Sequence, residues 1–295
     1  MVKEGRFVRE ISYFLLLPAF LLYTVFVMVP AISSFYYSLT SWDGLSALMP
    51  FVGLRNFTDM FHDSRFYVAL KNTLGIAITV TILENIIALM LALLVDKIRW
   101  FKSFFRSMIY LPVLLSGIIT GFIWSVMMNY SFGVINQMLD LIHLGAFKVN
   151  WLGDPHIALV SIMITLLWKS AGYYMIIYLA GLQGIPQELL EASKIDGASG
   201  FQQFRHLTFP LLAGTLTVNF TLSLIGGLKV FDQIAVMTDG GPGFATETIA
   251  YQIYKVAFAD ARQGYGTALA MVLFGITLIF ATIQVSLLRK REVEL

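Results

Sequence analysis

Three charged residues sit where the sequence is otherwise apolar: Glu84, Lys169 and Lys229. A charge at the centre of a bilayer is costly, so each needs a partner, water or a task. A carboxylate and an ammonium at mid-span can pair, relay a proton or face a water-filled path. Glu84 and Lys169 leave two readings open, a buried pair joining two helices or groups lining a pathway. Lys229 lies at the end of its apolar stretch with Asp232 following, and is read as snorkelling to the surface. Other chemistry is absent. There is no cysteine, which excludes disulfides, thiolate metal sites and cysteine nucleophiles. His62, His143, His156 and His206 lack metal-ligand spacing, and no G-x-x-x-x-G-K-[ST] phosphate cradle occurs. Neither a catalytic residue nor a metal site is expected.

The elements that position these charges must be apolar helices. The 295 residues are 58% hydrophobic and 13% charged, against about 25% charged in soluble domains. Such a chain cannot cover itself with polar surface, so its solvent is mostly lipid. Six stretches are long enough to cross a bilayer as helix, near 11–33, 69–95, 107–128, 157–182, 211–231 and 266–288. The first follows a basic start, VKEGRFVRE, and is read as an uncleaved anchor, with a cleaved signal as the alternative. Lys3, Arg6 and Arg9, then Lys97, Arg99, Lys102 and Arg106, and finally Arg289, Lys290 and Arg291 cluster hard against span ends. By the positive-inside bias, these segments and both termini are cytoplasmic. The outer loops, 34–68, 129–156 and 232–265, are too short for an independent external domain.

One cytoplasmic interruption stands out, LLEASKIDGASGFQQFRHLTFPL at 189–211. Pro186 suits a first helical turn, Gln187–Asp196 reads as a short helix, and Gly197 as its stop. Ser199 and Gln202 match a capping box, opening a second helix with Phe201, Phe204 and Leu207 on one side, ending before Pro210. Each helix is too short to be stable alone in water. Phe204 and Leu207 can pack on the span ends. The elbow, with Ala192, Gly197, Ala198 and Gly200, leaves its backbone open to another protein. The segment 186–210 is therefore read as a docking hairpin.

The pattern resembles the signature loop of integral membrane permease subunits of binding-protein-dependent ABC importers: Glu-Ala-Ala, three residues, Gly, nine residues, Ile-x-Leu-Pro. Here it stands as Glu191-Ala192-Ser193, Gly197 and Leu207-Thr208-Phe209-Pro210, departing at Ser193, Leu207 and Phe209. FDQIAVMTDGGPG at 231–243, FVGLRNFTDMF at 51–61 and IAYQIYKVAF at 249–258 resemble the carbohydrate branch, the maltose and multiple-sugar type.

That resemblance implies an all-α membrane protein of the type I ABC importer permease fold, 1–295 forming one domain of six transmembrane helices. It implies a bacterial or archaeal inner membrane, multi-pass, and no enzymatic activity. The implied partners are a second, different but homologous permease, two ATPase subunits that hold ATP and magnesium, and an extracytoplasmic substrate-binding protein. The cargo is a sugar or oligosaccharide; nucleic acid has no part. The hairpin couples to the ATPase through Glu188, Glu191, Ala192, Asp196, Gly197 and Phe201. Two helical stripes, Lys169 with Tyr173 and Asn219 with Ser223 and Gly227, are assigned with Glu84 to the substrate pathway, where Tyr faces suit sugar rings. The rival readings are an ion-coupled transporter using Glu84 and Lys169, and a membrane scaffold without substrate.

Overall fold

A helix crosses lipid because every backbone group is satisfied within the segment, and this chain is helical almost throughout. The computed structural model describes residues 16–98 and 100–290. Residues 11–15 of the first expected span, and Lys3, Arg6, Arg9, Arg99 and Arg291 of the orientation argument, lie outside the described residues. Among the described residues the only extended pairing is a single antiparallel bridge, Thr40 to Phe51.

The chain divides into two compact units, one up to Asp63 with Ile253–Val272, the other Ser64–Gln252 with the residues from Leu273 onward. In the first, helix α1 (Leu16–Ser38) carries a π-widened turn at Thr24–Met28. It runs five residues beyond the expected end at 33. Ser34 and Ser38 turn their hydroxyls back onto the carbonyls of Pro30 and Phe35, so the polar tail continues the helix. Helix α2 (Arg55–His62) is clamped to that end by Asn56, whose amide donates to the carbonyls of Ser38 and Thr40 at 2.8 Å each.

The second unit begins with α3 (Ser64–Lys97), whose 34 residues extend about 51 Å at 1.5 Å per residue. A hydrocarbon core is about 30 Å thick, so α3 exceeds it and can project beyond the lipid. Next come α4 (Lys102–Tyr110), continued by a 3₁₀ turn at Leu111–Leu114, then α5 (Gly117–Met127), α6 (Val134–Leu141) and α7 (Ala158–Gln183). The interruption at 189–211 forms α8 (Gln187–Ile195) and α9 (Gly200–Leu211). Helices α10 (Ala213–Leu228), α11 (Asp232–Met237) and α12 (Ile249–Tyr254) follow, and α13 (Gln263–Arg289) closes the described chain.

Four helices are long and apolar enough to cross a membrane, and two bent pairs bring the crossings to as many as six. The bends correct two expectations. The stretch 107–128 is no continuous span: Lys102–Leu114 and Gly117–Met127 meet at 95°. Pro112 lacks a helical donor, Leu115 is extended at ψ 139°, and Ser116 caps the new helix by accepting the Ile119 amide. A Cβ on Gly117 would lie 2.0 Å from the Asp232 carboxylate, so only glycine lets α11 seat against the restarted helix. The span expected at 211–231 is likewise displaced. Helix α9 runs through Pro210, because a π-widened turn at Phe204–Thr208 relieves the crowding that proline imposes on the preceding turn. The break falls at Leu212, where the axis bends by 67° before α10, and α10 ends at Leu228.

Helices α3, α7 and α10 form the heart of this unit. Small residues on α3, including Ala88 and Ala92, face Tyr174, Met175, Tyr178 and Leu179 of α7 in a buried cluster. Asn85, itself buried, ties all three helices together. Its amide donates to the Ser223 hydroxyl of α10 at 3.0 Å, and its carbonyl accepts the Tyr178 hydroxyl of α7 at 2.6 Å. Replacing Asn85 by Ala removes the acceptor of the Tyr178 hydroxyl and leaves Ser223 only its bond to the Phe220 carbonyl, and should lower stability by about 1–2 kcal/mol. Thermal unfolding in detergent, with Tyr178→Phe completing a double-mutant cycle, should show a coupling of about 0.6 kcal/mol or more; additive losses would contradict a joint role.

Candidate functional site

The turn between α10 and α11 closes a cleft of about 260 Å³ over the middle of α3 and α7. Glu84, Lys169, Ser223 and Gly227 all line it. Glu84 is buried and hydrogen-bonded to the Ser170 hydroxyl, whose oxygen also lies 2.6 Å from the Leu166 carbonyl, so that its single proton is shared between the two. Lys169 is half-buried, and among the described residues no ion pair joins it to Glu84. Both therefore stand as separate groups at one cleft. Ser223 faces it while holding the Asn85 amide. A Cβ on Gly227 would meet the Ala77 backbone at 2.7 Å, so glycine lets α10 lie directly on α3 at the cleft wall.

The cleft excludes Tyr173 and Asn219. The face of α7 that meets the cavity is Leu166, Ser170 and Tyr174, spaced i, i+4, i+8. Lys169 reaches in from the flank through its length. Tyr173, one turn on along that flank, is 40% exposed and sets its ring edge-on against Tyr174 instead. Asn219 is wholly buried and donates to the Tyr174 carbonyl at 3.1 Å, a tie between α10 and α7. Among the lining residues that the sequence reading did not assign to the pathway are Ser170, Tyr174, Lys229 and Asp232. Lys229 is exposed, as a snorkelling side chain would be; it also caps α10 and borders the cleft with Asp232. The available signal was two charges in the turn directly after an apolar stretch. Among the described residues no group of three or more His, Asp or Glu is placed to hold a metal ion.

The hairpin of α8 and α9 forms the second site. Glu188, Glu191, Ala192, Asp196, Gly197 and Phe201 are all exposed. Gly197 stops α8 at φ +78°, a left-handed conformation that disfavours side chains, and its Cβ direction points into open space. Ser199 and Gln202 complete the capping box. The second helix does not keep Phe201 with Phe204 and Leu207: Phe201 is 70% exposed, whereas the π-widened turn carries the other two onto the protein. Gln203 locks the two arms, donating to the Leu190 carbonyl at 2.9 Å and to the Ser193 hydroxyl at 2.8 Å. The outward surface thus combines acids, small residues and one bare phenylalanine.

Residues 84–293 match the family described as binding-protein-dependent transport system inner membrane component. The chain is 37% identical to the "Probable starch degradation products transport system permease protein AmyD" of Thermoanaerobacterium thermosulfurigenes, with all of both chains covered. It is 35% identical to the trehalose/maltose transport system permease protein MalF of Thermococcus litoralis, over 96% of this chain and 95% of that one. In fold it is similar to a chain from the crystal structure of a bacterial ABC transporter involved in the import of the acidic polysaccharide alginate. The TM-score is 0.84 at 24% identity, covering 98% of each chain.

The lock within the hairpin is testable without any partner. Gln203→Ala removes both cross-arm bonds and should weaken the local structure by about 1 kcal/mol. Hydrogen exchange should quicken across residues 187–203 and stay unchanged in α7; an unaltered hairpin would show that the bonds do not hold it.

Proposed function

Because this chain belongs to the binding-protein-dependent transport system inner membrane components, we propose that it is the permease subunit of an ATP-driven sugar or oligosaccharide importer. The observation that carries this reading is end-to-end similarity to permeases named for starch products, for trehalose and maltose, and for multiple sugars. The chain forms half of a translocation pathway, and a different homologous permease supplies the other half. The cleft at Lys169, Ser170, Ser223 and Gly227 is this chain's share of the path, with Tyr174 offering an aromatic wall. An extracytoplasmic binding protein delivers the sugar. Two ATPase subunits hold ATP and magnesium, and both termini lie on their side of the membrane.

Residues 186–210 couple transport to ATP. The exposed face of Glu188, Glu191, Ala192, Asp196, Gly197 and Phe201 enters a groove on the ATPase, and nucleotide-driven closure of the ATPase pair moves the hairpin. Burying Phe201 there would recover about 1.5–3 kcal/mol, a fitting reason for leaving it bare. An ion-coupled carrier built on Glu84 and Lys169 is not favoured, since Glu84 is engaged by Ser170 and the relatives are importer permeases.

Gly197→Glu should abolish ATP-driven uptake and loosen co-purification with the ATPase subunits, because it puts a charged side chain where close approach is required. Gly197→Ala strains the backbone by about 1–2 kcal/mol but adds only a methyl group in open space, and should retain part of the uptake. Full transport and assembly in the glutamate variant would refute the coupling role.

A further inference from the structure

We propose that Arg65 and Glu247 form a latch that positions the outer rim of the cleft, far from the cleft itself. Arg65 lies in the first turn of α3, nineteen residues before Glu84, or about 28 Å along the helix. Its guanidinium grips Glu247 with two bonds, Nε to Oε2 at 2.6 Å and a terminal nitrogen to Oε1 at 2.5 Å. Glu247 is 1% exposed, and the guanidinium also lies over the Phe244 ring at 4.6 Å. A buried ion pair is weak evidence of stabilisation by itself. What gives this one a task is where its neighbours lead.

The loop after α11 is fastened to α3 at three consecutive levels. Below Arg65, the Asn72 amide donates to the carbonyls of Ala245 and Glu247 at 2.9 Å each, and the Thr73 hydroxyl accepts the Ile249 amide at 2.9 Å. Thr248, between these anchors, donates to the Val230 carbonyl at 2.8 Å. Tyr251 stacks on Phe231 and fixes its own hydroxyl on Asp239. Val230 and Phe231 line the cleft beside Lys229 and Asp232. The same helix that supplies Glu84 to the wall thus holds the rim through a run of buried bonds that begins at Arg65. Bidentate geometry fixes direction as well as distance, which a lysine at this position does not reproduce.

The chain has no cysteine, so one introduced thiol reports alone. Gln233→Cys places it at a buried rim position. Its labelling by N-ethylmaleimide, in full-length protein in native membranes, should be slow with the latch intact. Arg65→Ala and Glu247→Gln should each speed it roughly tenfold, Arg65→Lys should fall between, and the exchanged pair Arg65→Glu with Glu247→Arg should restore part of the protection. Ala88→Cys, in the α3–α7 core, should label at the same slow rate throughout. An unchanged rate at Gln233→Cys, or a parallel rise at Ala88→Cys, overturns the latch. The proposal rests on the cleft being the transport path. Because labelling reads the rim directly, a latch that fails here is distinguished from a coupling role that fails in uptake.

Discussion

Asn85 is the interaction on which the larger unit depends. Lipid tails are as apolar as leucine, so helices in a bilayer gain nothing from merely hiding hydrophobic faces from one another. Association rests on close contact and buried polar ties. The Asn85 amide supplies both ends of such a tie, to Ser223 of α10 and from Tyr178 of α7, from a buried position on α3. The alanines of α3 then let α7 approach until the hydroxyl of Tyr178 meets the asparagine. With the Asn219 and Ser170 bonds, this tie sets the register of three otherwise apolar rods.

The cleft is the consequence of packing that is tight on one side only. Gly227 brings α10 onto the Ala77 backbone, and Asn219 holds α10 to α7. Between those contacts Lys169 and Ser170 project into space that the turn at Lys229–Gln233 covers. A polar group at that depth is tolerable only where another polar group or water meets it. Ser170 meets Glu84, whereas Lys169 has no carboxylate within ion-pair reach among the described residues, and so belongs to the open side.

Features set by local chemistry could be read from the sequence. The apolar runs announced helices, Gly197 announced the elbow, and Ser199 with Gln202 announced the start of α9, because each depends on residues within one or two turns. The bends could not be placed in this way. Pro112 and Pro210 were visible, yet the chain breaks at Leu115 and Leu212, since the break point depends on the docking of Asp232 against Gly117 and on a π-widened turn. Cleft membership was obscured for the same reason. Lys169 and Tyr173 share a stripe at i, i+4, but which of them reaches the cavity depends on side-chain length and on the position of α10. Lys229 and Asp232 were legible as charges, and only the fold of 230–252 set them beside the cleft.

The two arms of the hairpin are mechanically unequal. On one side α7 is a continuous helix of 26 residues, about 39 Å long, which joins α8 through the short turn at Gly184–Pro186. On the other side α9 meets α10 at a 67° bend, and its last turns are already widened. A displacement of the hairpin therefore moves α7 as a rod, carrying Lys169 and Ser170 with it, while the bend at Leu212 can absorb the difference by rotation. Asn85, Asn219 and the Ser170–Glu84 bond hold α7 to α3 and α10 along its middle. The rim is fastened separately, to α3 through Arg65 and Glu247.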